Sequence, residues 1–167
     1  MQGTLKHPIA LSHRLKGLRR MADLVVRQGT VSDIQAIMAL EQGSIEHPWE
    51  SKAIESLITD GNKVCLVAEL DGVIVSYVGA ESVLDESNVG NIVTHREYRG
   101  RGIATKLFEA LLAELKEKGI RKLFLEVEHD NVPAIALYEK LGFTDYGYRR
   151  DYYGKGKDAV LMSLELC

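Results

Sequence analysis

Between Asn91 and Ala104 the chain reads NIVTHREYRGRGIA, an extended segment, a basic loop with two closely spaced glycines, and the first turn of a helix. Ile103, Leu107, Phe108, Leu111, Leu112 and Leu115 recur at helical spacing, and Lys118-Gly119 is a stop signal. The first N–H groups of a helix have no partner within it, and the macrodipole adds partial positive charge there. Arg96, Arg99 and Arg101 add more. Gly100 and Gly102 let the backbone approach a ligand, since a Cβ at either position would restrict it. The chemistry this suits is the holding of a phosphate or pyrophosphate. The spacing is neither GxxxxGK(S/T) nor GxGxxG, and a Gly-rich turn before an amphipathic helix is as often only a turn.

A second segment, KLFLEVEHDNVPAIALYEKLGF at 122–143, decides between these readings. Lys122 to Glu128 alternates as a strand, with Leu123, Leu125 and Val127 on one face and Phe124, Glu126 and Glu128 on the other. Pro133 suits the first turn of a helix lined by Ala134, Leu137, Tyr138 and Leu141, and Gly142 ends it. Glu126 shares its face with Phe124, a partly apolar cleft that would raise a carboxyl pKa and suit a general base. Glu128 fits a solvated position better, although by residue type alone the two carboxylates are nearly equal. Tyr138 follows helically from Leu137, where most tyrosines are core with a wet hydroxyl.

The elements that must position these groups are legible from Asp23 onward. Leu24–Arg27 is a short strand. Thr30 and Asp33 form a capping-box variant that opens a helix through Ile34, Ile37, Met38 and Leu40. His47-Pro48-Trp49 interrupts, and Ser51 caps a second helix ending near Ile58. Lys63–Leu70 and Val73–Val83 flank the hairpin signal Asp71-Gly72. Strands are expected at 88–94, 121–128, 143–152 and 157–166, helices from 103 and over 133–141, and a turn at Gly154-Lys155-Gly156. This mixture indicates one α/β domain with a mixed sheet. The domain spans 22–167 and follows a basic extension, 1–21, expected to be unstructured.

The 167 residues are 46% hydrophobic, enough for a proper core, and carry a net charge of −3. Lys6, Arg14, Lys16, Arg19 and Arg20 precede the first acid, so the body is more acidic than that total. An acidic body argues against nucleic acid as a partner and suits amines or basic peptides. Cys65 and Cys167 are the two cysteines. They suggest a reducing, cytoplasmic compartment, and no metal-ligand spacing accompanies them. No apolar run is long enough to imply a membrane partner. Oligomeric state is not legible.

The chain resembles the GNAT superfamily of acetyl-CoA-dependent N-acetyltransferases. Arg99-Gly100-Arg101-Gly102-Ile103-Ala104 matches the signature R/Q-x-x-G-x-G/A. Within the superfamily it is most similar to the protein N-terminal acetyltransferases, the RimI-type ribosomal-protein-alanine enzymes and their archaeal relatives. HPWE at 47–50, NIVTHREYRGRGIA, LEVEHDNVPAIALYEKLGF and RRDYY at 149–153 carry the likeness, in order and at the family's spacing. The resemblance implies a sheet of six to seven strands with about four helices, whose two central parallel strands splay apart to hold acetyl-CoA.

It also implies roles. The backbone of Ile92, Val93 and Thr94 would pair with the pantetheine arm, and Gly100, Arg101, Gly102, Ile103, Ala104 and Thr105 would take the pyrophosphate. Glu126 would be the general base, through an ordered water, and Tyr138 would return a proton to the CoA sulfur. Asn131 would bond the cofactor, or cap its helix. Trp49 would shape the peptide entrance, or pack. Tyr152, with Tyr153, would form the other wall, although paired tyrosines also suit an edge strand. His95 and His129 are read as solvated loop residues. Asn88 and Asn91 lie where some archaeal relatives carry a histidine, and His95 stands where an acidic residue is common in the bacterial enzymes. The substrate expected is a protein N-terminus, including that of a ribosomal protein, and no metal is expected. A small free amine, or acyl-CoA binding without catalysis, are the alternatives.

Overall fold

A computed structural model describes residues 23–167, and the expected basic extension lies outside them. The element order is β1 (Leu24–Gln28), α1 (Ile34–Gln42), α2 (Ser51–Thr59), β2 (Lys63–Leu70), β3 (Val73–Val83), β4 (Glu86–Thr94), α3 (Ile103–Glu117), β5 (Lys122–Glu128), α4 (Val132–Lys140), β6 (Thr144–Arg149) and β7 (Ala159–Glu165). Seven strands form one sheet in the order β1-β2-β3-β4-β5-β7-β6. Every neighbouring pair is antiparallel except β4 and β5.

The core has two layers because the central strands are apolar on both faces. Val64, Leu66 and Ala68 of β2 join Leu107, Phe108 and Leu111 of α3 and Tyr138 of α4 on one side. Cys65 and Val67 turn the other way and meet Ile37 of α1 and Ile54 of α2. No helix among the described residues is long and apolar enough to cross a membrane.

Local signals set most boundaries. Asp71 and Gly72 both have positive φ (50° and 79°), as the tight hairpin between β2 and β3 requires. Both α3 and α4 end in a six-to-one hydrogen bond closed over a left-handed glycine. Ile120 N–H donates to the Leu115 carbonyl (2.9 Å) and Phe143 N–H to the Tyr138 carbonyl (3.0 Å).

Three expected boundaries move. Ser51 is the first helical residue of α2 and Glu50 is its N-cap, with extended backbone. The β4 strand starts at Glu86, because the chain reverses at Leu84, whose φ is 56°. The β6 strand stops at Arg149 instead of reaching 152. Asp151 turns to φ 53°, its N–H donating to Asp158 Oδ1 (2.9 Å) and its carboxylate accepting from Gly156 N–H (2.6 Å).

The parallel pair is brief. Glu86, Ser87 and Asn88 align with Lys122, Leu123 and Phe124, and pairing ends there. The β5 strand stays paired with β7 to Glu128. The β4 strand stays with β3, whose register jumps so that Gly79 opposes both Gly90 and Asn91, a bulge that bends β4 away. The expected splay between Thr94 and Glu128 is therefore present.

Ahead of α1, Thr30 N–H donates to Asp33 Oδ2 (2.8 Å) and Arg27 grips both Asp33 oxygens (2.8 and 2.9 Å). Those guanidinium bonds hold the Asp33 carboxyl down to about 2. A depressed folded pKa gives stability that is complete above the unfolded value, about 4, and is lost as pH falls through about 2. Urea unfolding of Arg27→Gln is expected to show lower stability at neutral pH and a shallower fall across that acid window than the parent.

Candidate active site

The gap between β4 and β5 is edged by alternating backbone. His95 N–H donates to the Val75 carbonyl, which sets the phase: Val93 faces β3, and its carbonyl accepts from Ser76 Oγ (2.8 Å). Ile92 and Thr94 therefore present their main-chain groups to the gap. Of the three residues expected to pair with a ligand there, Val93 is turned away and its side chain is buried.

At one end lies a cavity of about 270 Å³, lined by Thr94, Tyr98, Arg99, Gly100, Gly102, Ile103, Ala104 and Thr105, with Pro133 and Leu137 of α4 opposite. The first bond of α3 runs from Lys106 N–H to the Gly102 carbonyl (3.2 Å), so the N–H groups of 103–105 have no acceptor within the helix. Gly100 and Gly102 take φ of 73° and 77°. Among the described residues no heavy atom beyond the adjacent residues lies within 4 Å of a Cβ built on either, so the left-handed turn is what requires glycine there. Arg99 Nε donates to the Thr94 carbonyl (3.0 Å), tying the loop to β4. The Arg101 side chain leans over the Tyr98 ring and donates to the Glu97 carbonyl, and Arg101, expected to take the pyrophosphate, is not among the residues lining this cavity.

At the other end is a cavity of about 580 Å³ that brings Glu126 and Tyr138 together. Glu126 reaches it from β5 and Tyr138 from α4. Ile92, Asn131, Tyr152, Tyr153 and Lys157 line it as well, as does the loop Ser44–His47. The apolar setting expected for Glu126 is corrected. Arg149 Nη1 lies 2.9 Å from its Oε1, and its hydrogen bond with Tyr152 holds that phenol's pKa up. Glu128 faces Lys157 more loosely (3.9 Å). Tyr138 is buried but for 6% of its surface, and burial pushes its phenol up to about 12. Its ring is wedged edge-on between Phe108 (5.5 Å) and Phe143 (5.8 Å), the latter delivered by the α4 stop.

Asn131 caps α4, its Oδ1 accepting from Ala134 N–H (3.3 Å), while its residue also lines the cavity. Trp49 is not among the lining residues; it packs on the α1/α2 core, against Gly90 of the bulge. Tyr152 and Tyr153 lie in the turn after β6, not on an edge strand. His129 sits beside the Asp158 carbonyl (3.3 Å), and His95 Nδ1 accepts from Glu97 N–H.

Sequence reasoning missed Glu41. Its carboxylate is wholly buried and accepts from Tyr77 Oη, Asn91 Nδ2 (2.7 Å) and Trp49 N–H (2.8 Å). Burial and the bond to Glu41 raise the Tyr77 pKa. A signal exists in the chain: Glu41 follows Ile34, Ile37 and Met38 at the next helical position, where an apolar residue is expected.

Residues 34–143 match the model of the acetyltransferase (GNAT) family. The chain belongs to that family, whose members transfer acetyl from acetyl-CoA. It is 34% identical to the ribosomal protein bS18-alanine N-acetyltransferase of Escherichia coli (strain K12), covering 81% of this chain and 93% of that protein. Against the N-alpha-acetyltransferase of Saccharolobus solfataricus it is 29% identical, covering 86% and 94%. The crystal structure of the ribosomal-protein-S18-alanine N-acetyltransferase from Escherichia coli superposes with a TM-score of 0.79 at 31% identity, covering 86% of this chain and 94% of that one.

The residues fit acetyl-CoA: free helix N–H groups suit its pyrophosphate, and the β4 edge at Ile92, with the Thr94 N–H, suits its amides. An alanine at Gly102 must adopt the left-handed φ at a cost of about 1 kcal/mol or shift the turn. Calorimetric titration of Gly102→Ala is expected to give weaker acetyl-CoA binding, with the loss greater than the drop in stability alone would produce.

Proposed function

We propose that the chain is a protein N-terminal acetyltransferase, moving acetyl from acetyl-CoA to the α-amine of a protein N-terminus, a ribosomal protein included, by direct attack in a ternary complex. The observation that carries this reading is the meeting of Glu126 and Tyr138 in one cavity whose outer walls are two chain segments, Ser44–His47 and the turn bearing Tyr152 and Tyr153. A slot between two such walls suits an extended peptide end. The named activities of the bacterial and archaeal relatives point the same way.

In this reading acetyl-CoA supplies the thioester, its pyrophosphate at the N–H groups of 100–105 and its arm along Ile92 and Thr94. Glu126 takes the proton of the attacking amine, directly or through water, and its bond to Arg149 leaves Oε2 as the freer oxygen. Tyr138, with its phenol held near 12, stays protonated at working pH and donates from Oη toward the departing sulfur. Asn131 Nδ2 is left over from capping to bond the cofactor, and Trp49 supports the entrance from behind. The protein is read as cytoplasmic, in keeping with two free cysteines, and as acting without metal, nucleic acid or membrane. Residues 22–167 are read as the catalytic domain.

A mass-spectrometric assay with acetyl-CoA tests the reading. Its arms are peptides differing in their first residue, N-blocked peptides with an internal lysine, and free polyamines. Acetylation confined to free N-termini is expected. Turnover of polyamines alone, or none despite acetyl-CoA binding, would overturn it. Glu126→Gln is expected to lower kcat by about a hundredfold or more. Tyr138→Phe should lower kcat while leaving both KM values within a few-fold, which steady-state kinetics at saturating peptide would check.

A further inference from the structure

Glu41 sits in the last turn of α1, wholly buried, with no Lys, Arg or His paired to it among the described residues. Two costs oppose a carboxylate there: desolvation, and the negative end of the helix macrodipole. What offsets them is a cradle made wholly of neutral donors, and each donor belongs to a different segment. Tyr77 comes from β3, Asn91 from β4, and the Trp49 N–H from the connection between α1 and α2.

These segments are the inner supports of the large cavity. Asn91 lines it and sits in the β4 bulge, and the loop that ends at Trp49 supplies Ser44–His47. The loop and the bulge also touch directly. A Cβ on Gly90 would meet Trp49 Cη2 at 3.0 Å. One carboxylate thus fixes the loop wall to the strand across the gap from Glu126.

We propose that Glu41 is a positioning residue for the acceptor: it touches neither substrate, but it holds the Ser44–His47 wall and the β4 bulge in the register that admits the amine. This rests on the cavity's being the acceptor site of the reaction proposed above. The pyrophosphate cradle lies at the other end of the gap on the α3 loop, linked to this wall through β4 and the bond from Arg99 Nη2 to Ser44 Oγ (3.3 Å), so the larger effect of Glu41 falls on the acceptor.

Glu41→Gln turns one acceptor oxygen into a donor, which faces either the Trp49 N–H or the donors of Tyr77 and Asn91 and breaks the cradle in both orientations. The expected result is an acceptor KM raised roughly tenfold, with the acetyl-CoA dissociation constant within twofold of the parent. Trp49 is the only tryptophan, so its fluorescence reports the wall independently of turnover. Acrylamide quenching is expected to rise in Glu41→Gln. Adding Asn91→Asp restores a donor–acceptor pair in the reverse sense, with the new amide on α1 donating to the new carboxylate on β4, and is expected to recover both readouts. Unchanged acceptor KM and quenching, a parallel change in acetyl-CoA affinity, or no recovery in the double variant would each overturn the proposal. If Glu41→Gln does not fold, Tyr77→Phe removes one donor at nearly constant volume. A few-fold rise in acceptor KM alone is then expected, and no rise overturns it. Should the parent acetylate another amine instead of N-termini, the proposed function fails while the same measurements with that amine still decide the role of Glu41. Should it acetylate none, the quenching decides.

Discussion

The short pairing of β4 with β5 is the constraint on which the rest of this molecule depends. Three aligned residues hold the two halves of the sheet together, and then each strand follows its other neighbour. β5 has a complete ladder with β7, and β4 is pulled aside by the bulge against β3. Parting strands inside a sheet is costly unless something else meets their N–H and C=O groups. Here the parted edges face open volume in which a ligand with its own amides can complete the ladder. The same divergence aims the N-terminus of α3 into one end of the gap and the Glu126 face of β5 into the other.

The two sides of the gap are held by different means. On the side proposed for the acetyl donor the candidate groups stand on regular structure closed by local backbone motifs. Tyr138 is the residue whose carbonyl receives the stop of α4, and the Phe143 that follows the stop packs on its ring. A helix ending and the orientation of a phenol are thus one event. On the side proposed for the acceptor the walls are loops, held by side chains that reach across the fold, Glu41 to Tyr77 and Asn91 and Arg149 to Glu126, and by Asp151 within its own turn. The first arrangement fixes chemistry, and the second can be altered one contact at a time.

This division also governs what is legible in the chain. The Asp71-Gly72 hairpin, both glycine helix stops, the alternation that isolates Glu126 and the basic glycine loop are all local. Each follows from residues within one or two turns of each other. What escapes reading is non-local. Glu41 finds its partners 36 and 50 positions away, and only the interruption of an apolar stripe hints at it. Arg149 reads as part of an entrance motif, but its pairing with Glu126 replaces the apolar cleft expected there. The phase of β4, which turns Val93 from the gap and admits Ile92 and Thr94, depends on the register with β3. The early end of β6 is a local exception: two aspartates fold the turn on itself across five and seven residues, with no Gly or Pro at Asp151 to mark it.

The polar setting of Glu126 bears on which amine the proposed reaction can use. One oxygen of that carboxylate is held by a guanidinium, so the proposed reaction favours an amine that arrives already neutral. At neutral pH roughly a tenth of α-amino groups are already neutral, against roughly one lysine side chain in two thousand. A site that must extract little from the base can work on the former and is poorly matched to the latter. Arg149 would also repel an ammonium, since it stands on the same carboxylate that would otherwise attract one. In the proposed reaction, selection for a protein N-terminus over lysine would then rest partly on how readily each amine loses its proton, before any contact with the peptide beyond its first residue.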